Sequence, residues 1–336
     1  MSGAEPVSVV VAVHDTNSVR ALPELFATLA VQDYRGDVEI IVVDHHPRPT
    51  VQPASLRTWW LPTRVIHEPR AGLSQARNTG ISAATGPWVL ITDPHARPAP
   101  GWVRAMVIAL THSGAGLAGG RVVPQFTAAR APVVPPAVLR LFAPTCWPES
   151  ACELTLPWGV SGCNLGMRRS AGLRFDTRFG HQLSCAELEM TVRAQWAGEF
   201  VIVAPDAVVR RAIHPYDLTL RAVGARAWWH RVSIARLMHI HPYADIGDTY
   251  RLRDTVLPYQ LLTRTGLLSA SVDMIRYLGL RAERWRLRRA RPRSGPSQER
   301  SGGPEHPRPG ASRLRVQGFL RRTSGSGGRA SGDHSQ

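Results

Sequence analysis

The sequence contains no lysine, and all 41 of its basic residues are arginine. Total replacement of lysine by arginine indicates a codon bias, whereas arginines selected for phosphate contacts would be enriched on one face. The formal net charge of +16 is also local, because residues 281–336 hold 14 arginines against 4 acidic residues. The charge therefore gives little support to a nucleic-acid-binding protein, and the sequence shows no nucleic-acid-binding module.

The sequence also has few cysteines and no long hydrophobic run. Cys146, Cys152, Cys163 and Cys185 form no C-x-x-C pair and no cluster with histidine, which argues against a zinc finger and favours a reduced, cytoplasmic protein. The N-terminus lacks a basic region followed by an apolar run and a cleavage site. No stretch reaches the ~20 apolar residues that span a bilayer. We therefore expect neither a signal peptide nor an integral membrane enzyme.

Apolar, β-branched runs alternate with segments of helical periodicity through the first part of the chain. We predict strands at residues 7–13, 38–43, 63–67, 88–92 and 118–123, and helices at 20–32, 73–84 and 101–112. This alternation predicts an α/β fold with a mostly parallel sheet and a ligand bound outside the carboxyl ends of the strands. Asp44 and Asp93 each follow a predicted strand and are expected at that edge.

The second half of the chain changes character twice. After a Pro-rich loop at 127–150, a helix at 187–197 and a short strand at 200–204, residues 217–241 and about 250–291 have helical periodicity. Beyond about residue 292, Arg, Ser, Gly, Pro and Glu dominate, which is typical of disorder. We therefore predict an α/β domain at residues 1–215, a helical appendage at 216–291 and a disordered basic tail at 292–336.

Asp93 and His95 lie two residues apart at the end of a predicted strand. A carboxylate and an imidazole at that spacing can chelate one divalent cation, and Mn²⁺ accepts both types of ligand. Taken alone, Asp-Pro-His is most often a turn without a ligand. The surrounding segments decide between these two interpretations.

Four segments of the chain together resemble glycosyltransferase family 2. They are the strand at 7–13, the strand that ends at Asp44, the segment Gly-Leu-Ser-Gln-Ala-Arg-Asn-Thr-Gly at 72–80 and the segment 88–102 around Asp93. The resemblance covers about residues 5–215 and implies the GT-A fold, a Rossmann-like, mostly parallel sheet flanked by helices. It also implies an inverting, hexosyltransferase-type transfer of a sugar from a nucleotide-diphosphate donor to a glycan, lipid-linked or small-molecule acceptor.

The same resemblance implies which residues bind the nucleotide-sugar donor. In the family, the second strand ends in an aspartate that contacts the nucleoside, which corresponds to Asp44. The family segment that helps to hold the nucleotide corresponds to Arg77 and Asn78, and Asp93 lies at the nucleotide-sugar and metal position. As a lone residue, Arg77 would instead be interpreted as an ion-pair partner on a helix surface.

The usual family motif after the fourth strand is Asp-Asp-Asp or Asp-x-Asp, and here Pro94 and His95 replace its last two residues. The polypeptide GalNAc-transferases, another group of GT-A enzymes, are similar in using Asp-x-His to bind Mn²⁺. The resemblance thus implies a divalent metal, Mn²⁺ or Mg²⁺, bound by Asp93 and His95 to neutralise the departing diphosphate. His214 is either a third metal ligand or an ordinary loop residue.

The stretch Gly-Cys-Asn-Leu-Gly-Met-Arg-Arg at 162–169 resembles the family's Gly-x-Asn-x-x-x-Arg-Arg. Further along, the family's Glu-Asp pair, whose aspartate is the catalytic base, corresponds to Ala186 and Glu187. The resemblance therefore implies that Glu187 takes the proton of the acceptor hydroxyl. A glutamate at a helix start is also explained by the helix dipole alone. Glu189 is expected to support the site structurally.

Departures from the family pattern leave a second function open. His45, the Pro94-His95 pair and Ala186 also fit a degenerate GT-A domain that binds nucleotide sugars, or regulates a partner, without catalysis.

The helical appendage has two interpretations. Trp228, Trp229, His230 and the Arg-rich helices up to about residue 291 could bind a lipid-linked acceptor or the anionic inner face of the membrane, since basic faces with tryptophan favour interfacial binding. The alternative is that these aromatic side chains pack the appended helices onto the α/β domain.

Overall fold

A computed structural model describes residues 4–56, 61–128, 134–142, 148–156, 158–179, 185–242, 244 and 264–290. Within these residues nine strands form one sheet. The strands are β1 (Val7–Val13), β2 (Val38–Asp44), β3 (Thr63–His67), β4 (Trp88–Thr92), β5 (Ala96–Pro98), β6 (Leu117–Phe126), β7 (Cys152–Glu153), β8 (Asn164–Arg168) and β9 (Val201–Ile213). The α-helices are α1 (Thr16–Leu29), α2 (Pro53–Leu56), α3 (Leu73–Ala83), α4 (Trp102–Ser113), α5 (Pro136–Leu139), α6 (Ala186–Trp196), α7 (Leu220–Ile240) and α8 (Arg264–Ala290).

The strands of the sheet follow the order β3-β2-β1-β4-β8-β6-β9-β5, and β7 pairs with β9. The pairs β1–β2, β2–β3, β1–β4 and β6–β9 are parallel, whereas β8 is antiparallel to both of its neighbours and β5 and β7 are antiparallel to β9. Register pairs Val13 with Asp44 and Val11 with Thr92. The predicted mostly parallel α/β sheet is confirmed, and β1, β2 and β4 end at one edge.

The central strand β1 shows why the sheet is buried on both faces. Its odd-numbered valines belong to an apolar cluster with α1 and α4, whereas Val10 and Ala12 belong to a second cluster with α3 and α6. Successive side chains of a strand point to opposite faces. Because helices cover both faces, β1 can be apolar at almost every position, which is typical of parallel sheets.

Helix α1 begins at Thr16 and ends at Leu29, so the predicted start at residue 20 was wrong. The side chain of Asp15 accepts a hydrogen bond from the backbone N–H of Ser18 at 2.6 Å. An aspartate in this position caps a helix by satisfying a backbone donor of its first turn. The prediction followed apolar periodicity and did not use this polar cap.

Four strands differ clearly from the sequence prediction, because β5, β7 and β8 were not predicted and β9 is longer than expected. β9 extends to Ile213 and does not stop near residue 204, because it pairs with β6 along its whole length across a register shift at Gly120 and Arg121. β8 was not predicted and lies between β4 and β6. A Cβ on its Gly166 would lie 2.5 Å from Met106, so glycine lets α4 pack closely against this strand.

The described C-terminal helices α7 and α8, which lie in the region of the predicted appendage, pack against each other. An apolar cluster that includes Phe142, Ile213, Val223 and Val272 joins them to the end of β9. Among the described helices, none is both long and apolar enough to cross a membrane. The predicted tail at 292–336 and the predicted helical residues 250–263 lie outside the described residues.

Candidate active site

The loop after β4 carries Asp93 and His95 to the edge where β1 and β2 also end. Oδ1 of Asp93 accepts a hydrogen bond of 3.1 Å from the backbone N–H of His95, which closes a tight turn. The next residues form β5, where Ala96 pairs with Arg211 of β9. This pairing fixes the loop and places Nη2 of Arg211 3.9 Å from Oδ2 of Asp93.

His95 and His214 lie next to each other across this edge. Their ring centroids are 5.6 Å apart, in an edge-to-face arrangement, and the ring of Tyr216 stacks on His214. Nδ1 of His214 is 3.0 Å from the hydroxyl of Thr127. Nδ1 of His95 is buried without a hydrogen-bond partner among the described residues. Burial lowers the pKa of His95, so its imidazole is held in the neutral form that a metal ligand requires.

These observations test whether the site fits a divalent metal. An orphaned buried imidazole nitrogen two residues from a partly exposed carboxylate matches the ligand types that Mn²⁺ accepts. No group of three or more histidine, cysteine, aspartate or glutamate side chains within the described residues could hold a metal ion. Asp93, His95 and His214 are therefore not assembled as a three-ligand set. A magnesium-like site needs only one or two protein ligands when substrate phosphates supply the others.

Two arginines that the sequence prediction did not include as binding residues lie near this edge, one beside Asp93 and one beside Asp217. Arg211 faces Asp93, and Nη2 of Arg226, on α7, lies 3.9 Å from Oδ1 of Asp217. The guanidinium of Arg226 also lies 4.5 Å from the centre of the Phe142 ring. Burial, together with the nearby charge of Arg211, lowers the pKa of Arg226 to about 10, so it stays cationic at neutral pH. The appendage thus contributes positive charge to the edge of the sheet.

Asp44 is buried, and its carboxylate binds the loop that follows β2. Oδ2 accepts hydrogen bonds from the backbone N–H groups of Thr50 and Val51 at 2.5 and 2.8 Å, and Oδ1 accepts one from the hydroxyl of Thr50. The next residue, His45, accepts a hydrogen bond through Nε2 from the backbone N–H of Gly72. In this conformation the carboxylate of Asp44 is engaged by its own chain.

Arg77 and Glu187 form an ion pair inside the site. Nη1 of Arg77 donates to Oε1 of Glu187 at 2.6 Å, and its Nη2 donates to the carbonyl oxygen of Gly162 at 3.2 Å. The guanidinium carbon lies 5.0 Å from the centre of the Phe175 ring. Arg77 is 5% exposed, so this pair is buried and is not the helix-surface pair that the isolated residue suggested.

Glycine at position 162 leaves room for this pair. A Cβ on Gly162 would lie 1.9 Å from Oε1 of Glu187 and 2.4 Å from Nη2 of Arg77. Both distances are far below van der Waals contact, so a larger residue would displace both side chains. The absence of a side chain at Gly162 is therefore needed for the observed position of the candidate base, Glu187.

Asn78 and Asn164 use their amide groups to connect elements of the site. Asn78 donates to the carbonyl oxygen of Phe175 and accepts from the backbone N–H of the same residue, both at 2.8 Å. Asn164 accepts from the indole N–H of Trp102 and donates to the carbonyl oxygen of Ala207. Both asparagines therefore have structural contacts that a family motif alone does not reveal.

Glu189 lies fully buried two residues after the candidate base. Its carboxylate accepts hydrogen bonds from Arg193 and from Nε2 of His241, which follows α7. Burial raises the pKa of Glu189, but these hydrogen bonds outweigh that effect and hold it below its usual value. The contacts join α6 to the appendage, which agrees with the structural role expected for this residue.

Residues 8–171 match the profile of a family described as glycosyl transferase family 2. The mannosyltransferase PcManGT from Pyrobaculum calidifontis, solved in complex with GDP-Man and Mn²⁺, is 19% identical with a TM-score of 0.52, and the match covers 86% of this chain and 76% of that one. S. aureus TarS 1–349 in complex with UDP is 16% identical with a TM-score of 0.47, over 86% and 93% of the two chains. No protein of curated function matches the chain.

At 19% identity the likeness to the mannosyltransferase shows a shared fold and nothing more. The likeness to the mannosyltransferase, together with the strand order, establishes the GT-A fold that the sequence predicts for the α/β part of the chain.

Proposed function

We propose, from the match of residues 8–171 to the profile described as glycosyl transferase family 2, that the protein transfers a hexose-type sugar, with inversion, from a nucleotide-diphosphate donor to a glycan, lipid-linked or small-molecule acceptor. One observation carries the proposal. Asp93 and His95 lie at the carboxyl edge of the sheet, and Nδ1 of His95 is buried there without a hydrogen-bond partner among the described residues.

Asp93 and His95 would hold Mn²⁺ or Mg²⁺ in this proposal. When bound, the metal would neutralise charge on the departing diphosphate. His214 does not form a three-ligand set with Asp93 and His95 in the described geometry, so it would become a third ligand only after a rearrangement, and then through Nε2, because Thr127 engages Nδ1. Arg211, beside Asp93, and Arg226, beside Asp217, would stabilise the phosphate oxygens as negative charge develops.

Glu187 would accept the proton of the attacking acceptor hydroxyl. The support is its ion pair with Arg77, which fixes one carboxylate oxygen and leaves Oε2 for the acceptor. Side chains that are held by neighbours in one geometry make effective general bases, because the reacting groups need not be reoriented. Arg77 would therefore act in part as a positioning residue for the base.

The donor nucleotide would lie at the edge formed by β1 and β2. Asp44 would contact the nucleoside after exchanging its hydrogen bonds with Thr50 and Val51, while Arg77 and Asn78 would shape the nucleotide side of the site from α3. The family resemblance supports these donor contacts, and so does the position of Asp44 at the carboxyl edge of the sheet.

We propose that the catalytic domain comprises residues 1–215, since β9 ends at Ile213 and α7 begins at Leu220, and that residues 216–291 form the appendage. We also propose that the protein is cytoplasmic. The three free cysteines in the described part of the chain support a reducing environment. We propose no nucleic-acid partner, and the basic tail at 292–336 stays a prediction.

The test of the proposed function is release of nucleoside diphosphate from UDP-, GDP- and dTDP-sugars with and without Mn²⁺. We expect turnover with one donor class, loss of turnover in His95→Ala, and normal turnover in His112→Ala, a matched variant of an exposed histidine on α4. Turnover that survives His95→Ala would contradict the proposed metal site.

A second candidate function is a domain that binds nucleotide sugars, or regulates a partner, without catalysis. It is favoured by the engaged carboxylate of Asp44 and by the missing three-ligand set in the described residues. Donor-dependent thermal stabilisation without turnover of any donor would support it. No thermal response to any donor would contradict both candidates.

A further inference from the structure

Helix α8 buries several charged residues and exposes several large apolar residues. Asp273, Arg276 and Glu283 are buried against the rest of the protein, at 6%, 4% and 5% exposure. Met274, Leu278 and Trp285 are exposed, at 53%, 50% and 57%. A helix that packs on a globular domain normally has the opposite arrangement. The exposed apolar residues therefore do not result from a lack of polar residues in the helix.

The exposed residues form one continuous stripe, which we call the α8 outer face. It consists of Met274, Tyr277, Leu278, Arg281, Trp285 and Arg289. The later members follow the first at spacings of three, four, seven, eleven and fifteen residues, which place them on one side of an α-helix.

Two of the arginines lie on the aromatic rings of this stripe. The guanidinium carbon of Arg281 is 5.8 Å from the centre of the Tyr277 ring, and that of Arg289 is 3.8 Å from the centre of the Trp285 ring. Such cation–π contacts let a charged group lie on an apolar surface. The outer face thus combines apolar rings with positive charges that lie directly on them.

The described part of α8 exposes no negative charge. Between residues 271 and 289 the acidic residues are Asp273 and Glu283, and both are buried and paired with arginines. The chain that follows continues this charge, since residues 291–336 contain nine arginines against three acidic residues. The charge presented by the outer face is therefore purely positive.

Tryptophan and tyrosine with arginine on an aliphatic helix face match the interface of an anionic lipid bilayer. Aliphatic groups enter the acyl boundary, aromatic rings lie at the headgroup level, and arginines bind lipid phosphates. A second copy of this face would bring like charges together, and a nucleic acid would leave Met274 and Leu278 without apolar contact.

Trp228 and His230 of α7 do not form this surface. The ring of Trp228 lies 3.4 Å from the position of a Cβ on Gly279, so it packs against α8. Burial lowers the pKa of His230 to about 3, so it carries no charge for a lipid headgroup. For these two residues the packing interpretation of the appendage is the one that the contacts support.

We propose that the α8 outer face docks the protein peripherally on an anionic membrane surface. The proposal concerns binding alone and does not depend on the transferase activity. Full-length protein would be sedimented with vesicles of phosphatidylcholine alone and with vesicles that also contain phosphatidylglycerol. We expect sedimentation with the anionic vesicles only, and less of it as salt rises, because salt screens the arginines.

Two pairs of substitutions separate the apolar and the electrostatic contributions. Leu278→Ser/Trp285→Ser should weaken partitioning on the order of tenfold, since binding scales with buried apolar area. Arg281→Gln/Arg289→Gln should weaken it on the order of 30-fold, since each arginine at an anionic surface contributes roughly fivefold. The matched controls replace exposed residues of other surfaces, Val31→Ser/Ile108→Ser and Arg35→Gln/Arg169→Gln, and should bind as the wild type does.

Circular dichroism and thermal unfolding show whether each variant is folded. If Leu278→Ser/Trp285→Ser does not fold, Arg281→Gln/Arg289→Gln alone decides the outcome. Wild-type binding by both α8 pairs would overturn the proposal and assign any vesicle binding to the chain outside α8. Absence of vesicle binding together with a dimer that Leu278→Ser/Trp285→Ser converts to monomer would overturn it in favour of self-association.

Discussion

The guanidinium of Arg77 donates a 2.6 Å hydrogen bond to the carboxylate of Glu187, although 110 residues separate them in the chain. The pair joins α3 to the start of α6. The family resemblance implies that Arg77 binds the nucleotide and that Glu187 takes the proton of the acceptor, and the pair joins these two residues.

Arg77→Ala should lower the free energy of unfolding by about 3 kcal/mol, because removing one partner of a buried ion pair leaves the other charge unpaired. Glu187 is largely buried, so water compensates little. The double variant Arg77→Ala/Glu187→Ala should recover part of this loss. Urea denaturation of the single and double variants measures the coupling, and strictly additive losses would contradict the pairing.

Glu187→Gln should lower kcat by roughly two to four orders of magnitude, the usual contribution of a general base, with little change in donor KM. Glu187→Asp retains a carboxylate and should keep more activity than the amide. Steady-state kinetics with a transferable acceptor make the comparison. Glu153→Gln, which changes an exposed glutamate on β7, is the matched control and should leave kcat unchanged. Equal kcat in Glu187→Gln and wild type would exclude the base role.

Gly162→Ala should abolish turnover while the protein stays folded, because the new Cβ would occupy the place of Oε1 of Glu187. Combining it with Glu187→Asp, which withdraws the carboxylate by one methylene, should restore part of the activity. Gly224→Ala is the control, since a Cβ there has only Ile275 at 3.5 Å and helix propensity favours alanine. Turnover of Gly162→Ala at the wild-type rate would show that the pair is not needed in this geometry.

The protein should lose stability as pH falls below about 4.5 through the carboxylate of Glu68. Hydrogen bonds from Arg70 and Thr79 lower its pKa from 4.5 to about 2, although burial acts in the opposite direction. A group with a lowered folded-state pKa stabilises the fold above its unfolded pKa, and this contribution disappears as pH falls towards the folded value. Glu68→Gln should flatten the dependence of unfolding free energy on pH between about 4.5 and 2. An unchanged slope would assign the acid sensitivity to other carboxylates.

His95→Asp should retain metal-dependent donor binding and shift its preference from Mn²⁺ towards Mg²⁺, since carboxylate oxygen is the harder ligand. The measurement is the thermal shift caused by a nucleotide sugar with each metal, which does not depend on turnover. His95→Ala should show neither response. Identical metal preference in His95→Asp and wild type would indicate that His95 does not bind the metal.

Local patterns were enough to predict the elements that carry Asp44 and Asp93. Buried parallel strands are recognised from apolar runs, and the residue after such a strand must lie at the carboxyl edge. Arg226 could not be predicted in the same way. Its contact with Asp217, which follows β9, depends on how α7 packs at the end of that strand, and no helix or strand periodicity records such a contact.

The same limit applies to roles that depend on conformation. The segment 72–80 placed Arg77 and Asn78 in the site, but it could not show that Arg77 would pair with Glu187 or that Asn78 would bind the backbone of Phe175. β8 was missed because glycine and asparagine interrupt its apolar pattern. Its position follows from pairing with β4 and β6, which is non-local.

The loop at Thr50 and Val51 binds the carboxylate of Asp44 and would therefore compete, within the same molecule, with the nucleoside for that carboxylate. Under the proposed role of Asp44, donor and loop bind the same oxygens, and only molecules with an open loop can accept the nucleoside. The apparent dissociation constant is then the intrinsic constant divided by the open fraction. Donor affinity in this protein would therefore be set as much by the stability of its own closed loop as by its contacts with the nucleotide.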